Sequence, residues 1–333
     1  MREVLEIPIQ GEMLVGTRHV PRGPAAPLGV LFINFGYAPR DGHGGLAVRS
    51  CEALAIRGLE SFRFDLPGVG DSPGPLPGEE QQFTNLIMRG EYSALVGALV
   101  QLLCERYRLK RLVLGCLCST AVTALFVAQH EPERIAGLLL LEPQFFFSKQ
   151  IASGLALNCR TGTESPALAP GSAVGQGGEP PVPFLQRIRD KYFTLWGLMR
   201  FLTHEGQSHA WLPLPRKRTL DYLLARSDLP PVTNLPAVSA WSELVRRQCP
   251  MLVITAQGQL RHRFFQLIQS NLFNGANIPS VVQIQLENTN HTFTADGASD
   301  AVIRHFLQWV DCGCIAAGPM PSRQMGKLVA SAG

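Results

Sequence analysis

Arg111-Leu-Val-Leu-Gly-Cys-Leu-Cys-Ser-Thr-Ala-Val-Thr-Ala-Leu-Phe-Val127 is the stretch of the chain that decides the fold. It opens with a short apolar run at 112–114, which is typical of a buried strand. Small residues follow, and then Val122, Leu125 and Phe126 recur on one side of a helix. The pattern predicts a buried strand, a tight turn and a helix, with Cys118 at the point where the strand becomes the helix.

Strand and helix patterns alternate on both sides of this stretch. The predicted strands lie at 4–9, 13–20, 28–34, 61–65, 135–141, 250–256 and 282–286, and the predicted helices at 46–57, 86–108, 264–272 and 302–310. Such alternation predicts an α/β fold with a mostly parallel, doubly wound sheet, preceded by a hairpin that turns at Gln10-Gly11-Glu12. Parallel sheets bind ligands at the carboxyl ends of their strands.

The alternation stops between residues 145 and 248. Residues 152–183 are rich in Gly, Pro, Ser and Ala and predict a flexible connection, whereas 184–226 carries aromatic and basic residues in helical patches. We therefore predict a first core part at 1–144, an inserted helical cap at 145–248, a second core part at 249–311 and a loose tail at 312–333. The basic residues of the cap form a solvated face or attract an anionic substrate.

Composition narrows the class of protein. The 333 residues are 46% hydrophobic and 17% charged, which predicts a large buried core. A net charge of +4 is too mild to indicate nucleic-acid binding. No apolar run reaches the roughly 18 residues of a membrane span, and the start Met1-Arg2-Glu3-Val4 does not build a signal peptide. We expect a cytoplasmic protein whose eight cysteines are reduced, and we predict no oligomeric state.

Four segments together resemble one group of enzymes. Arg63–Gly74 is similar to the D-x-x-G-x-G-x-S turn of α/β-fold hydrolases. In these enzymes a different turn, the sharp strand-to-helix turn G-x-S-x-G, carries the nucleophile. Leu117–Ala121 resembles the L-C-S-G-A elbow of a cysteine-bearing branch, the exosortase A system-associated hydrolases linked to bacterial surface polysaccharide export. Leu141–Gln144 and Asn290–Thr294 resemble a strand end and the D-H-T-F-S histidine motif of that branch.

The resemblance covers roughly residues 27–143 and 249–310 and shows two departures. The acid of the family follows the strand at 251–255, where this chain has Gln259 in the approximate place of the carboxylate. Thr120 replaces the second glycine of the elbow, and Cys116, still a small residue, replaces the first. Both Gln259 and Thr120 argue against full catalytic power.

The resemblance implies that Cys118 is the nucleophile and His291 the base. A helix N-terminus and an imidazolium partner lower the pKa of a thiol, which ordinarily lies near about 8.5, so we expect a reactive Cys118. The alternative is a buried, inert cysteine. Ser119 is a weaker candidate nucleophile because it lies one residue into the helix.

The third member of the site has two candidates. Glu142 stands at the carboxyl end of the strand that follows the elbow helix, where some hydrolases of this fold carry their acid. Gln259 could instead orient His291 through its amide oxygen, as Asn does in Cys-His-Asn proteases. The sequence does not separate them.

Backbone N–H groups of Ser119 and Tyr37 are the predicted oxyanion hole. We expect Asp65, Asp71 and Ser72 to be structural turn residues. Cysteine pairs with one intervening residue, at 116/118 and 312/314, do not have the spacing of a zinc site, so we predict no metal and no cofactor.

The leading functional hypothesis is an α/β hydrolase that cleaves a small-molecule ester or thioester through an acyl-enzyme on Cys118. Acyl transfer to a hydroxyl is a second possibility if the cap excludes water. The third is a non-catalytic accessory or binding protein on the same scaffold, which Gln259 and Thr120 favour.

Overall fold

The computed structural model describes residues 1–147 and 229–312, apart from positions 22, 24, 34, 35, 76, 77, 79, 231 and 275. The strands in these ranges are β1 (Arg2–Ile9), β2 (Glu12–His19), β3 (Leu28–Ile33), β4 (Glu60–Phe64), β5 (Arg111–Leu117), β6 (Ile135–Leu141), β7 (Met251–Ala256) and β8 (Val281–Leu286). The helices are α1 (Leu46–Ile56), α2 (Glu80–Arg89), α3 (Ser93–Tyr107), α4 (Thr120–His130), α5 (Leu235–Arg246), α6 (Leu260–Phe273) and α7 (Ala298–Asp311), and a short 3-10 helix spans His43–Gly45.

The eight strands form one sheet in the order β1-β2-β4-β3-β5-β6-β7-β8. β1 and β2 form the predicted antiparallel hairpin, and β2 also pairs antiparallel with β4. All pairs from β4 to β8 are parallel. The predicted α/β architecture, a mostly parallel doubly wound sheet with an N-terminal hairpin, is confirmed.

The central strands are buried along their whole length, as expected for a parallel sheet covered on both faces. Alternate residues of these strands join α1 and α7 in one apolar cluster, which includes Phe32, Val113, Leu139 and Ile254. On the helix side of β5, α4 packs against α3 and α5. The carboxyl ends of β5, β6 and β7 are thereby held rigidly side by side.

The predicted single helix at 86–108 is wrong. Two helices occupy this region, α2 from Glu80 to Arg89 and α3 from Ser93 to Tyr107, and the angle between them is 68°. Gly90, at the break, has a φ of 82°, and an added Cβ there would lie 2.5 Å from the ring of Phe126. A residue with a left-handed backbone and no room for a side chain ends the first helix. Within the described ranges no single helix is long and apolar enough to cross a membrane. The bent pair α2 and α3 reaches that length and apolar composition only when the two helices are taken together.

The turn after β4 is structural, as predicted. The Asp65 carboxylate accepts the backbone N–H of Asp71 at 3.2 Å and forms an ion pair with Arg40 at 2.5 Å. The hydroxyl of Ser72 donates to the backbone oxygen of Asp65 at 2.9 Å and accepts the N–H of Val15 at 2.8 Å. These bonds tie the turn to β2 and occupy the polar groups of all three predicted turn residues.

The chain clusters into two compact units. The first comprises Met1–Ser153 and Leu212–Gly333, and the second, Gly154–Trp211, lies outside the described residues. The predicted cap at 145–248 and tail at 312–333 fall largely outside them too and stay predictions. Within the predicted cap range, α5 belongs to the first unit, and its Trp241 is fully buried.

Candidate active site

Cys118 lies at a strained corner between β5 and α4. Its φ of 62° is in the left-handed region, which residues with a Cβ rarely adopt. The N–H of Cys118 donates to the backbone oxygen of Leu141 at 2.9 Å, which fixes the corner to the end of β6. The sulfur therefore stands at the carboxyl end of β5, before the first turn of α4, and the residue is partly exposed.

Thr120 completes this elbow through its hydroxyl group. The hydroxyl donates to the backbone oxygen of Leu117 at 2.8 Å and accepts the N–H of the same residue at 3.2 Å. Thr120 is completely buried. The residue that replaces the second glycine of the elbow thus fits into the turn and bonds its backbone.

Gln144 and Arg261 surround the sulfur. The thiol of Cys118 donates to the amide oxygen of Gln144 at 3.2 Å, and Arg261 Nε donates to the same oxygen at 3.4 Å. The amide nitrogen of Gln144 donates to the backbone oxygen of Phe146 at 2.9 Å, so the orientation of the amide is fixed. No sequence pattern predicted a role for either residue. Gln144 is the last residue of the Leu141–Gln144 motif, whereas no motif distinguishes Arg261 from the other arginines of the chain.

The pKa of the Cys118 thiol is raised, not lowered as expected. Burial is the main cause, and the charge of Glu142 adds to it. The charge of Arg261, a hydrogen bond from the N–H of Ser119 and a hydrogen bond from Arg261 all act in the opposite direction. His291 does not contribute, so the expected imidazolium partner is replaced by a guanidinium.

Glu142 is a fully buried carboxyl group at the end of β6, with a φ of 47°. Its Oε1 accepts the N–H of Ala256, at the end of β7, while its Oε2 has no hydrogen-bond partner among the described residues. Burial raises the pKa of Glu142 to about 7, against the effects of the Ala256 hydrogen bond and the charge of Arg261. The group is close to its titration point at neutral pH.

His291 lies half-buried in the loop after β8. Burial lowers its pKa, and the charges of Arg261 and His43 lower it further, so the imidazole is neutral near pH 7. Asn290 orders this loop, since its side chain accepts the N–H of Thr294 at 3.0 Å. Among the described residues His291 makes no hydrogen bond to Cys118 or Glu142, but it shares with both of them the influence of Arg261.

Gln259 is not joined to His291 in the part of the chain that the structure describes. It precedes the first residue of α6, where its backbone oxygen accepts the N–H of Arg263 at 3.2 Å and its side chain caps nothing. Tyr37 uses its hydroxyl to donate to the backbone oxygen of Gly78 at 2.9 Å, and its ring packs against Phe83. The side chain of Tyr37 is therefore engaged elsewhere, and its backbone N–H stays a candidate oxyanion donor together with that of Ser119.

Comparison with known proteins settles the family. A family model described as the alpha/beta hydrolase family matches residues 36–305. The chain belongs to the alpha/beta hydrolase family. No curated protein sequence matches this hydrolase.

Solved structures share the fold of this hydrolase at low sequence identity. Dienelactone hydrolase from Anabaena variabilis is 13% identical with a TM-score of 0.51, over 93% of this chain and 97% of the other. Est1E from Butyrivibrio proteoclasticus, solved with bound ferulic acid, is 12% identical with a TM-score of 0.53, over 92% and 99%. TT1662 from Thermus thermophilus is 14% identical with a TM-score of 0.53, over 95% and 99%. These similarities confirm the α/β-hydrolase fold.

Within the described residues of the hydrolase, no group of three or more His, Cys, Asp or Glu side chains is arranged to hold a metal ion. The polar groups that act on Cys118 are an amide, a guanidinium and a carboxyl group, and the imidazole of His291 is under the influence of the same guanidinium. That set can accept a proton, donate hydrogen bonds and stabilise negative charge, which are the requirements of acyl chemistry.

Proposed function

We propose that this hydrolase cleaves an ester or thioester through an acyl group carried on Cys118. The observation that carries the proposal is the position of Cys118, a non-glycine residue with a φ of 62° at the junction of β5 and α4. Such backbone strain persists where the surrounding structure enforces it, and it is common at active sites. It presents the sulfur at the strand end where this fold holds its nucleophile.

In the proposed first step the Cys118 thiol transfers its proton to the neutral His291 as the sulfur attacks the carbonyl carbon. The bond to the leaving alcohol or thiol then breaks, and that group takes the proton from His291. A water molecule, deprotonated by His291, next attacks the acyl thioester and releases the acid and the free thiol. His291 is neutral near pH 7, so its ring nitrogen is free to accept a proton, and the cycle consumes only water.

Backbone N–H groups of Ser119 and Tyr37 are proposed to stabilise the oxyanion. The N–H of Ser119 is directed to the Cys118 sulfur in the free enzyme. When the sulfur bonds to the carbonyl carbon, it becomes a poorer acceptor, and this donor becomes available to the developing oxyanion.

Glu142 is proposed as the third member of the site in preference to Gln259. Its Oε2 is buried without a partner in the part of the chain that the structure describes, and its charge acts on both Cys118 and Arg261. An N–H donor such as an imidazole would satisfy this oxygen and stabilise the ionised carboxylate. The side chain of Gln259 shows no comparable contact.

The wider role is proposed from sequence resemblance alone. Segments 117–121 and 290–294 support a place among exosortase A system-associated hydrolases, hence a cytoplasmic role in surface polysaccharide biosynthesis or export. A gene for polysaccharide export beside the gene of this hydrolase would support that role. Acyl transfer instead of hydrolysis would show as an ester product when an alcohol competes with water.

The acyl-enzyme is tested with 4-nitrophenyl acetate and intact-protein mass spectrometry. We expect one acetyl group on the wild type and on Cys249→Ala, and none on Cys118→Ala. Cys249 is the matched control because it is also free and partly exposed, while burial raises its pKa to about 12. The value of kcat/KM should fall by at least about 10³-fold in Cys118→Ala.

His291→Ala should slow both acetylation and the alkylation of Cys118 by iodoacetamide. Acetyl groups on Cys249, or undiminished turnover in Cys118→Ala, would refute the proposed nucleophile. Equal and slow alkylation of all cysteines, without turnover of any ester, would favour the non-catalytic binding protein, which the raised pKa of Cys118 also suits.

A further inference from the structure

Arg261 has no place in the mechanism, yet its guanidinium lies beside the candidate nucleophile. It lies in the first turn of α6, just beyond the end of β7. Its Nε and the Cys118 sulfur donate to one and the same oxygen, that of Gln144. Two groups that share one acceptor are neighbours, so any molecule bonded to the sulfur also meets the guanidinium.

Arg261 differs from other partly buried arginines in its partners. Arg40 pairs with Asp65, and Arg18 pairs with Glu60. In the described part of the chain Arg261 forms no ion pair, and its hydrogen bonds go to the amide of Gln144 and to the Cys118 thiol.

The surroundings of Arg261 add little negative charge. Glu142 acts on the same site, but its carboxyl group is buried and partly protonated near neutral pH. His43 and His291 contribute neutral or positive groups. Among the described residues, the positive charge of Arg261 beside the sulfur is therefore only partly balanced.

We propose that Arg261 binds a carboxylate of the substrate, so that the enzyme prefers esters or thioesters with a carboxylate close to the scissile carbonyl. A guanidinium matches a carboxylate with two parallel N–H donors, and such charge-assisted bonds are among the strongest in proteins. The N-terminus of α6 adds a favourable dipole for an anion. The choice of substrate rests on the proposed function, whereas carboxylate binding beside the sulfur does not.

Iodoacetate and iodoacetamide test carboxylate binding directly, because they differ only in the carboxylate. In each reaction the sulfur attacks the CH₂ carbon, iodide leaves, and the thiol proton passes to solvent. The measurement is the rate of iodoacetate alkylation divided by that of iodoacetamide, site by site, by peptide mass spectrometry of the full-length protein. We expect the ratio at Cys118 to exceed the ratio at Cys249 by about 10-fold or more.

Arg261→Gln should reduce the ratio at Cys118 to that at Cys249. Arg263→Gln is the matched control, since it removes the same charge from an exposed residue of the same helix and should leave the ratio unchanged. Salt screens partly buried charges less than exposed ones. We therefore expect roughly 0.5 M NaCl to lower the ratio at Cys118 of the wild type only modestly. A ratio equal at the two cysteines, or insensitive to Arg261→Gln, would overturn the proposal.

Substrate preference is tested with two N-acetylcysteamine thioesters of matched shape, one of succinate and one of 4-methylpentanoate. We expect the wild type to favour the succinate thioester in kcat/KM by about 10-fold or more, and Arg261→Gln to abolish that preference. Turnover of both thioesters without preference would refute this proposal and leave the proposed function intact. Absence of turnover together with a high iodoacetate ratio would refute the proposed function alone.

Discussion

Opposing effects set the state of the Cys118 thiol. Burial and the charge of Glu142 favour the neutral form, whereas Arg261 and the N–H of Ser119 favour the thiolate. Gln144 also favours the neutral thiol, because its amide oxygen accepts a hydrogen bond from that thiol. A substrate that displaces Gln144 from the sulfur, or that stabilises ionised Glu142 through His291, alters this balance. The resting enzyme holds its sulfur as a thiol that becomes nucleophilic when its proton is removed.

The third member of the site is distinguished by two substitutions. Glu142→Gln should lower kcat by about 10²-fold or more, because the neutral amide cannot stabilise an imidazolium that forms during the reaction. Gln259→Ala should change kcat by less than about threefold, since its side chain has no contact with His291 in the described residues. Steady-state kinetics with 4-nitrophenyl acetate give both values. The reverse ranking would remove Glu142 from the mechanism.

Sequence patterns identified reactive or titratable residues that lie in a motif or at the end of a predicted strand. Cys118 and His291 fall in motifs, and Glu142 follows a buried strand. Gln144 and Arg261 carried no such mark, because an amide and one arginine among many acquire a role only through the side chains near them. Gln144 bonds both Cys118, which is 26 positions away in the sequence, and Arg261, which is 117 positions away.

At the scale of elements, the elbow and the long helix show where local patterns suffice and where they do not. The β5-turn-α4 unit was predicted because apolar periodicity changes from strand to helix within a few residues. The break between α2 and α3 was missed, since the left-handed backbone of Gly90 and its close approach to the ring of Phe126 belong to the folded chain. A packing contact between distant residues leaves no trace in the local pattern.

The hydroxyl of Thr120 is predicted to stabilise the elbow. Thr120→Val keeps the shape of the side chain but removes both bonds to Leu117, and it should lower the free energy of unfolding by about 1–3 kcal/mol. Thr123→Val is the matched control, because Thr123 is equally buried on the same helix and its hydroxyl has no partner within the described ranges. We expect that control to be neutral or stabilising in urea unfolding. Equal losses in the two variants would show that the elbow bonds contribute nothing specific.

At the scale of the whole molecule, the sheet assembles the site. The parallel order β5-β6-β7-β8 places the ends of four strands in succession, and Cys118, Glu142, Arg261 and His291 each follow one of these ends although they span more than half of the chain. The same burial that holds them there changes their pKa values, and global stability must therefore depend on pH.

Glu142 is predicted to make the enzyme less stable as the pH rises from about 4.5 to about 7. A glutamate in the unfolded chain titrates near about 4.3, whereas Glu142 in the folded protein titrates at about 7. Between these values the folded state retains a proton that the unfolded state has lost, so ionisation favours unfolding. Urea unfolding at pH 5 and pH 8 should show that Glu142→Gln, which stays neutral, gains up to about 3 kcal/mol relative to the wild type.

Glu133→Gln is the control for this pH dependence, because Glu133 is exposed and its loss should leave the difference between pH 5 and pH 8 unchanged. If Glu142→Gln behaves like Glu133→Gln, the carboxyl group is ionised in the folded state at low pH and its burial does not set its pKa.

The sequence by itself determined the alternation of strands and helices, the elbow at Cys118 and the turn around Asp65, because each depends on apolar periodicity or backbone chemistry within about ten residues. Only the tertiary structure decided what surrounds the sulfur. It brought Gln144 and Arg261 to Cys118, left Oε2 of Glu142 without a partner among the described residues and raised the thiol pKa. Those properties depend on distance and desolvation, which the packing of β5, β6, β7 and α6 fixes and which no local pattern contains.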